Sequence, residues 1–147
     1  MPSGDDAIGR LQTADGKRPR VAIVGGTASS GMVATILVEQ FGCTPINTPS
    51  GESILALLRG DKLVDLVVID LSIPDMDGIV AVQLIRALGA RGALPVVALT
   101  NDRAEIAAPR ARAAGFAGSV VKPYSPREPY GALQSALARS AAATVQA

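Results

Sequence analysis

The chain has 147 residues, 48% of them apolar and 18% charged, which suits one globular domain and argues against wholesale disorder. A net charge of +1 argues against nucleic acid as a partner, because such binding needs a clustered basic face. The sequence has no histidine and a single cysteine, Cys43. These counts exclude an internal disulfide, leave too few soft ligands for a zinc site, and rule out Ser-His-Asp and Cys-His catalysis.

The ends of the chain are expected to be tails around one domain. Residues 1–18 are polar, and residues 141–147 follow the last amphipathic stretch, so we predict a domain over residues 19–140. The sequence contains neither a signal-peptide pattern nor the run of about 18 apolar residues that a membrane span needs. We therefore expect a cytoplasmic protein without a membrane partner.

Short β-branched runs alternate five times with longer amphipathic stretches, which is typical of a parallel sheet with helices on both faces. Two of these runs are apolar almost throughout, as expected of strands buried on both sides, and Pro45 fits an edge strand. The predicted strands cover residues 20–25, 43–48, 63–70, 94–99 and 118–121.

Five helices are predicted between and after these strands. The first is expected to begin at an N-cap, Ser29 or Ser30, and the third at the N-cap Asp77. The expected buried face of the first helix consists of Val33, Ile36, Leu37 and Phe41.

The fourth predicted helix contains Pro109 in its middle. A proline there removes a backbone hydrogen bond and costs about 3 kcal/mol in a regular helix. We expect a late start, a kink or a mobile segment, with Ala107, Ala111 and Ala114 on the inner face.

Three polar residues stand at strand ends: Asp70 after the third strand, Thr100 after the fourth and Lys122 after the fifth. The carboxyl ends of parallel strands share one edge, where ligands of such sheets bind. The trio could hold a phosphoryl group, with Asp70 as nucleophile and the other two contacting its oxygens. Alternatively, Asp70 pairs with Lys122 for stability, and Thr100 is a turn or cap residue.

The sequence around these residues resembles the receiver domain of two-component response regulators. The resemblance covers residues 20–140 and depends on three motifs: Val67-Val-Ile-Asp-Leu-Ser-Ile-Pro-Asp-Met-Asp-Gly78, Pro95-Val-Val-Ala-Leu-Thr100 and Ala114-Gly-Phe-Ala-Gly-Ser-Val-Val-Lys-Pro-Tyr124. It implies a flavodoxin-like (CheY-like) five-stranded sheet of order 2-1-3-4-5 with five helices.

The same resemblance implies roles for individual residues. Asp70 takes the phosphoacceptor position, Thr100 that of the switch hydroxyl and Lys122 that of the phosphate-binding lysine. Asp77 and Asp75 match loop positions, and we interpret them as a helix cap and a solvated charge.

Two departures from the family pattern bear on function. Family members carry an acidic pair after the first strand that holds a divalent cation, and here the pair is Gly25 and Gly26. We therefore expect no cofactor and weak Mg²⁺ binding at best. Ser119 stands where receivers commonly have a tyrosine or phenylalanine that takes part in the switch.

The sequence thus predicts an atypical stand-alone receiver, a signalling module rather than an enzyme. Asp70 would be phosphorylated slowly or not at all, and the partner would be a histidine kinase, a phosphotransfer protein or a downstream target. An ordinary phosphorylatable response regulator is the main alternative. A nucleotide- or anion-binding protein is weaker, since the glycine turn lacks the lysine of a P-loop.

Overall fold

The structure of the protein is a computed structural model that describes residues 9–25 and 28–146, apart from the side chains at 28–30, 90–91 and 140–146. Strands and helices alternate along the described chain, with a short 3-10 helix (Gly89–Ala93) before the fourth strand. The elements are β1 (Arg20–Val24), α1 (Ala28–Gln40), β2 (Thr44–Thr48), α2 (Gly51–Arg59), β3 (Leu66–Asp70), α3 (Gly78–Arg86), β4 (Val96–Thr100), α4 (Arg103–Ala107), α5 (Pro109–Ala114), β5 (Gly118–Val121) and α6 (Arg127–Gln146).

The five strands form one parallel sheet in the order β2-β1-β3-β4-β5, which confirms the predicted flavodoxin-like topology. All residues of β3 and β4 are buried, because helices cover both faces of these central strands. Strand β2 lies at the edge, in agreement with the prediction from Pro45. The predicted third strand was too long at its start, since Leu63 is exposed and β3 begins at Leu66.

One apolar cluster covers each face of the sheet. Alternate residues of β1 and β3, such as Val24 and Ile69, join α2, α3 and α5 on one side. Their neighbours Ile23 and Val68 join α1 and α6 on the other. Aliphatic side chains dominate both clusters. Because their burial fixes the position of the strands, it also fixes the edge of the sheet at which the polar residues of the strand ends lie.

The predicted buried face of the first helix was right for Phe41 and for the partly buried Leu37 but wrong for Val33 and Ile36. Val33 and Ile36 are each 48% exposed, whereas Ala34, Val38 and Phe41 pack against the sheet. Because α1 has apolar residues on all of its faces, the spacing of its large side chains does not distinguish the buried face from the exposed one. The helix also begins at Ala28, which places Ser29 and Ser30 inside its first turn rather than at the N-cap.

The predicted fourth helix is broken at Pro109, so the described chain has six α-helices rather than five. Ala108 has an extended backbone (ψ 146°), and Pro109 starts α5 at a position where its missing N–H costs nothing. Ala111 and Ala114 are buried as expected. Ala107 is exposed, and Ile106 packs against the core in its place, because the break changes the rotation of α4.

The described structure extends into both expected tails. Leu11 is buried in the apolar cluster that includes residues of α1 and α6, and its N–H donates to the Phe41 carbonyl (2.7 Å). At the other end, α6 continues to Gln146, beyond the expected boundary at residue 140. Residues 1–8 lie outside the described residues. Within the described chain, each helix is too short or too polar to cross a membrane.

A half-buried arginine ties together the segments around the helix break. The Arg86 guanidinium donates to the carbonyls of Gly92 (2.7 Å), Leu94 (2.6 Å), Ala114 (3.2 Å) and Gly115 (2.8 Å). One side chain therefore satisfies two carbonyls in the segment before β4 and two at the end of α5.

Replacing Arg86 with leucine should lower the free energy of unfolding by about 2–4 kcal/mol, because several carbonyls would lose a charged donor. Urea denaturation measures the change. Arg59→Leu is the matched control, since Arg59 is exposed at the end of α2. Equal effects of the two substitutions would contradict the tying role of Arg86.

Candidate functional site

The carboxyl edge of the sheet carries the candidate site. Asp70 is the last residue of β3, Thr100 the last of β4, and Lys122 follows β5 directly. The strands are in register so that Asp70 lies opposite Leu99, one residue before Thr100. The parallel sheet therefore brings the three predicted residues to neighbouring strand ends.

Asp70 is 3% exposed, and both of its carboxylate oxygens have donors. Oδ2 forms an ion pair with the Lys122 ammonium. Oδ1 accepts from the Ser72 backbone N–H (2.9 Å) and from the Ser72 hydroxyl (2.6 Å). Ser72 was not among the predicted site residues, although a serine two residues after an aspartate is a common source of such local bonds.

These contacts set the charge state of Asp70. Burial raises the pKa of its carboxyl, but the hydrogen bonds from Lys122 and Ser72 outweigh burial and hold the pKa below its usual 3.8. Asp70 is therefore an ionised carboxylate at neutral pH, balanced by one ammonium group. Such a group is a potential oxygen nucleophile in a site with little net charge.

Thr100 lies beside this pair, but its hydroxyl is bonded elsewhere. It is 2% exposed, and its Oγ1 donates to Glu105 Oε1 (2.7 Å) in the first turn of α4. The same oxygen accepts from the Asp102 N–H (3.0 Å). The structure thus joins Asp70 and Lys122 directly and gives Thr100 a partner, Glu105, that the sequence did not indicate.

The first of the two glycine positions leaves no room for a side chain. Gly25 has φ +64°, and a Cβ there would lie 2.2 Å from Cγ2 of Ile73, a buried residue of the β3–α3 loop. The backbone conformation itself disfavours other residues. Ile73 therefore fills the space into which a carboxylate at position 25 would project. Gly26 lies outside the described residues.

The described donors do not fit a divalent cation. Within the described part of the chain, no three Asp, Glu, Cys or His residues are grouped as a metal site would require. Asp77 caps α3 as predicted and pairs with Arg110. Asp75 was expected to be a solvated charge. It has an additional role, because its carboxylate accepts from the N–H groups of Gly51 (2.9 Å) and Glu52 (3.0 Å) at the start of α2.

Ser119 lies away from this edge, in the middle of the edge strand β5. It is exposed and lines an open groove of about 580 Å³ between β5, α4 and α6. Small residues form much of its wall, and charged groups border it: Gly118, Gly131, Ala132, Ser135, Arg103, Glu128 and Arg139. A serine at position 119 leaves this groove open.

Comparison with known proteins gives the same fold and a family. Residues 21–134 match the response regulator receiver domain. The chemotaxis response regulator CheY4 of Vibrio cholerae is similar, with 22% identity and a TM-score of 0.73 over 80% of this chain and 98% of that one. The N-terminal domain of a response regulator/sensory box/GGDEF protein from Carboxydothermus hydrogenoformans is also similar, with 21% identity and a TM-score of 0.76 over 85% and 98%.

Substitution of Gly25 by alanine should destabilise the fold more than substitution of Gly16. Both glycines have positive φ, but a Cβ at Gly16 meets nothing within 4 Å. Gly16→Ala therefore measures the backbone cost alone, about 1 kcal/mol, and Gly25→Ala should lose a further 1–3 kcal/mol or so from the clash with Ile73.

Urea unfolding of the two variants, and of both in an Ile73→Ala background, measures the difference. The excess cost at Gly25 should shrink when Ile73 is shortened. A Gly25→Ala cost equal to that of Gly16→Ala would show that Ile73 does not fill this space.

The lowered pKa of Asp70 gives a pH dependence with a definite sign. The ionised pair stabilises the fold above the ordinary carboxyl pKa of 3.8, and this contribution is lost as the pH falls through the lower folded value. The stability of the wild type relative to Asp70→Asn should therefore fall on acidification below about pH 4. Urea unfolding of both proteins across the acid range measures it, and a pH-independent difference would contradict the account.

Proposed function

This chain belongs to the response regulator receiver domain family of two-component signalling, and we propose that it works as an atypical receiver with Asp70 in the phosphoacceptor position. The observation that supports this most directly is the buried, ionised Asp70 with Lys122 and Ser72 bonded to it. In this proposal, transfer to Asp70 is slow or absent under the magnesium-dependent conditions that suit receivers with the acidic pair.

The proposed transfer is a displacement at phosphorus. An oxygen of the Asp70 carboxylate attacks the phosphorus of a donor, a P–O bond forms, and the bond to the leaving atom breaks as that atom keeps the electron pair. The product is an acyl phosphate on Asp70. Lys122 and the Ser72 hydroxyl already contact the carboxylate and would donate to the new phosphoryl oxygens.

Charge is the reason for expecting slow transfer. A phosphoryl group brings about −1.5 to −2 charges at neutral pH, and Lys122 supplies one positive charge. A further positive charge about 4 Å away would be worth on the order of 4 kcal/mol at an effective dielectric constant near 20. Each 1.4 kcal/mol or so missing from the transition state slows transfer about tenfold.

The proposed output is contact with another protein. The candidate partners are a histidine kinase, a phosphotransfer protein or a downstream target, and the open groove beside Ser119 is the surface that we assign to output.

Cys43 is a free, buried cysteine, which fits a reducing compartment such as the cytoplasm. The net charge of +1 gives no support to nucleic acid as the partner.

Incubation with acetyl phosphate or phosphoramidate, with and without Mg²⁺, tests the proposal when labelling is followed by intact-protein mass spectrometry. We expect slow labelling that Mg²⁺ changes little and that Asp70→Asn abolishes. Rapid, stoichiometric, magnesium-dependent labelling would show an ordinary receiver instead. Labelling that persists in Asp70→Asn would remove Asp70 from the phosphoacceptor position.

A further inference from the structure

The partners of the Thr100 hydroxyl lie on one side of it. Oγ1 donates to the Glu105 carboxylate (2.7 Å), has the Asp102 carbonyl oxygen at 3.2 Å, and accepts from the Asp102 N–H at 3.0 Å. These groups belong to the loop after β4 and to the first turn of α4. The hydroxyl is therefore held towards α4.

A threonine hydroxyl has one hydrogen, so it donates to one acceptor at a time. The bond to a carboxylate is shorter and stronger than one to a carbonyl, and the distances to Glu105 and Asp102 agree with that order. A phosphoryl group on Asp70, at the end of the neighbouring strand, would offer competing anionic oxygens. Thr100 cannot serve Glu105 and such a group together.

The same bond helps to attach α4. This helix has five residues and none is buried, and the extended Ala108 separates it from α5. Ile106 packs partly against the core cluster, and the Glu105 carboxylate bonds to the buried Thr100 hydroxyl. A change at Thr100 would therefore alter one of the described contacts that keep α4 on the sheet.

We infer that Glu105 is a positioning residue whose carboxylate holds the Thr100 hydroxyl on the α4 side and ties α4 to β4. The hydroxyl reaches a group on Asp70 only after the bond to Glu105 breaks. The consequence for transfer rests on the proposed function of Asp70, whereas the hold on Thr100 exists in the unmodified protein. Glu105 thus favours the unmodified form and links the state of Asp70 to the position of α4.

The side-chain conformation of Thr100 gives a direct test in the unmodified protein. Three-bond NMR couplings to the γ-methyl carbon report its χ1 rotamer. We expect one rotamer in the wild type, loss of that single rotamer in Glu105→Ala, and a smaller change in Glu105→Gln, whose neutral amide oxygen still accepts. Glu52→Ala is the matched control, an exposed acidic residue in the first turn of α2.

Labelling of Asp70 gives the second readout. Loss of the Glu105 carboxylate should speed labelling about three- to tenfold, the range expected for one charge-assisted hydrogen bond, and should have no effect in a Thr100→Val background. An unchanged Thr100 rotamer in Glu105→Ala, or an equal change in Glu52→Ala, overturns the inference. If no variant is labelled, transfer to Asp70 is absent rather than slow, which the proposed function allows, and the rotamer measurement alone decides the role of Glu105.

Discussion

The buried ion pair between Asp70 and Lys122 is the interaction on which the site depends. The pair joins the ends of β3 and β5 across β4, while Ser72 supplies two further hydrogen bonds to the carboxylate. A buried carboxylate without such donors would be costly, and here one positive charge and two local donors keep it ionised. The unmodified site is therefore balanced by its own side chains.

The surroundings of the pair are consistent with this balance. Ile73 occupies the space beside Gly25. At this edge of the sheet an apolar side chain therefore fills the space that an acidic side chain at position 25 would need. The acids of the following loop, Asp75 and Asp77, are bonded to helix N-termini and Arg110. At Gly25, the first of the two positions, the packing thus suits glycine rather than an acid.

Much of the fold follows from the sequence, because the strand pattern and the break at Pro109 have strong local causes: β-branched apolar runs and a missing N–H. The rotation of α1 does not follow from the sequence, since this helix has apolar residues on all sides. Tertiary packing of Ala34 and Val38 against the sheet decides which face is buried. The ion pair at Asp70 was among the predicted alternatives. The Ile73 contact and the Thr100–Glu105 bond depend on loop geometry, for which the sequence pattern has no signal.

The central claim is that the Asp70 pocket is balanced without a metal ion. A magnesium titration followed by NMR at the backbone amides of Gly25, Asp70 and Ser72 tests it most directly, with sodium chloride at matched ionic strength as the reference. The account predicts that the two salts shift these resonances equally and without saturation. A saturable response to millimolar Mg²⁺ at these amides, absent with sodium chloride, would contradict it.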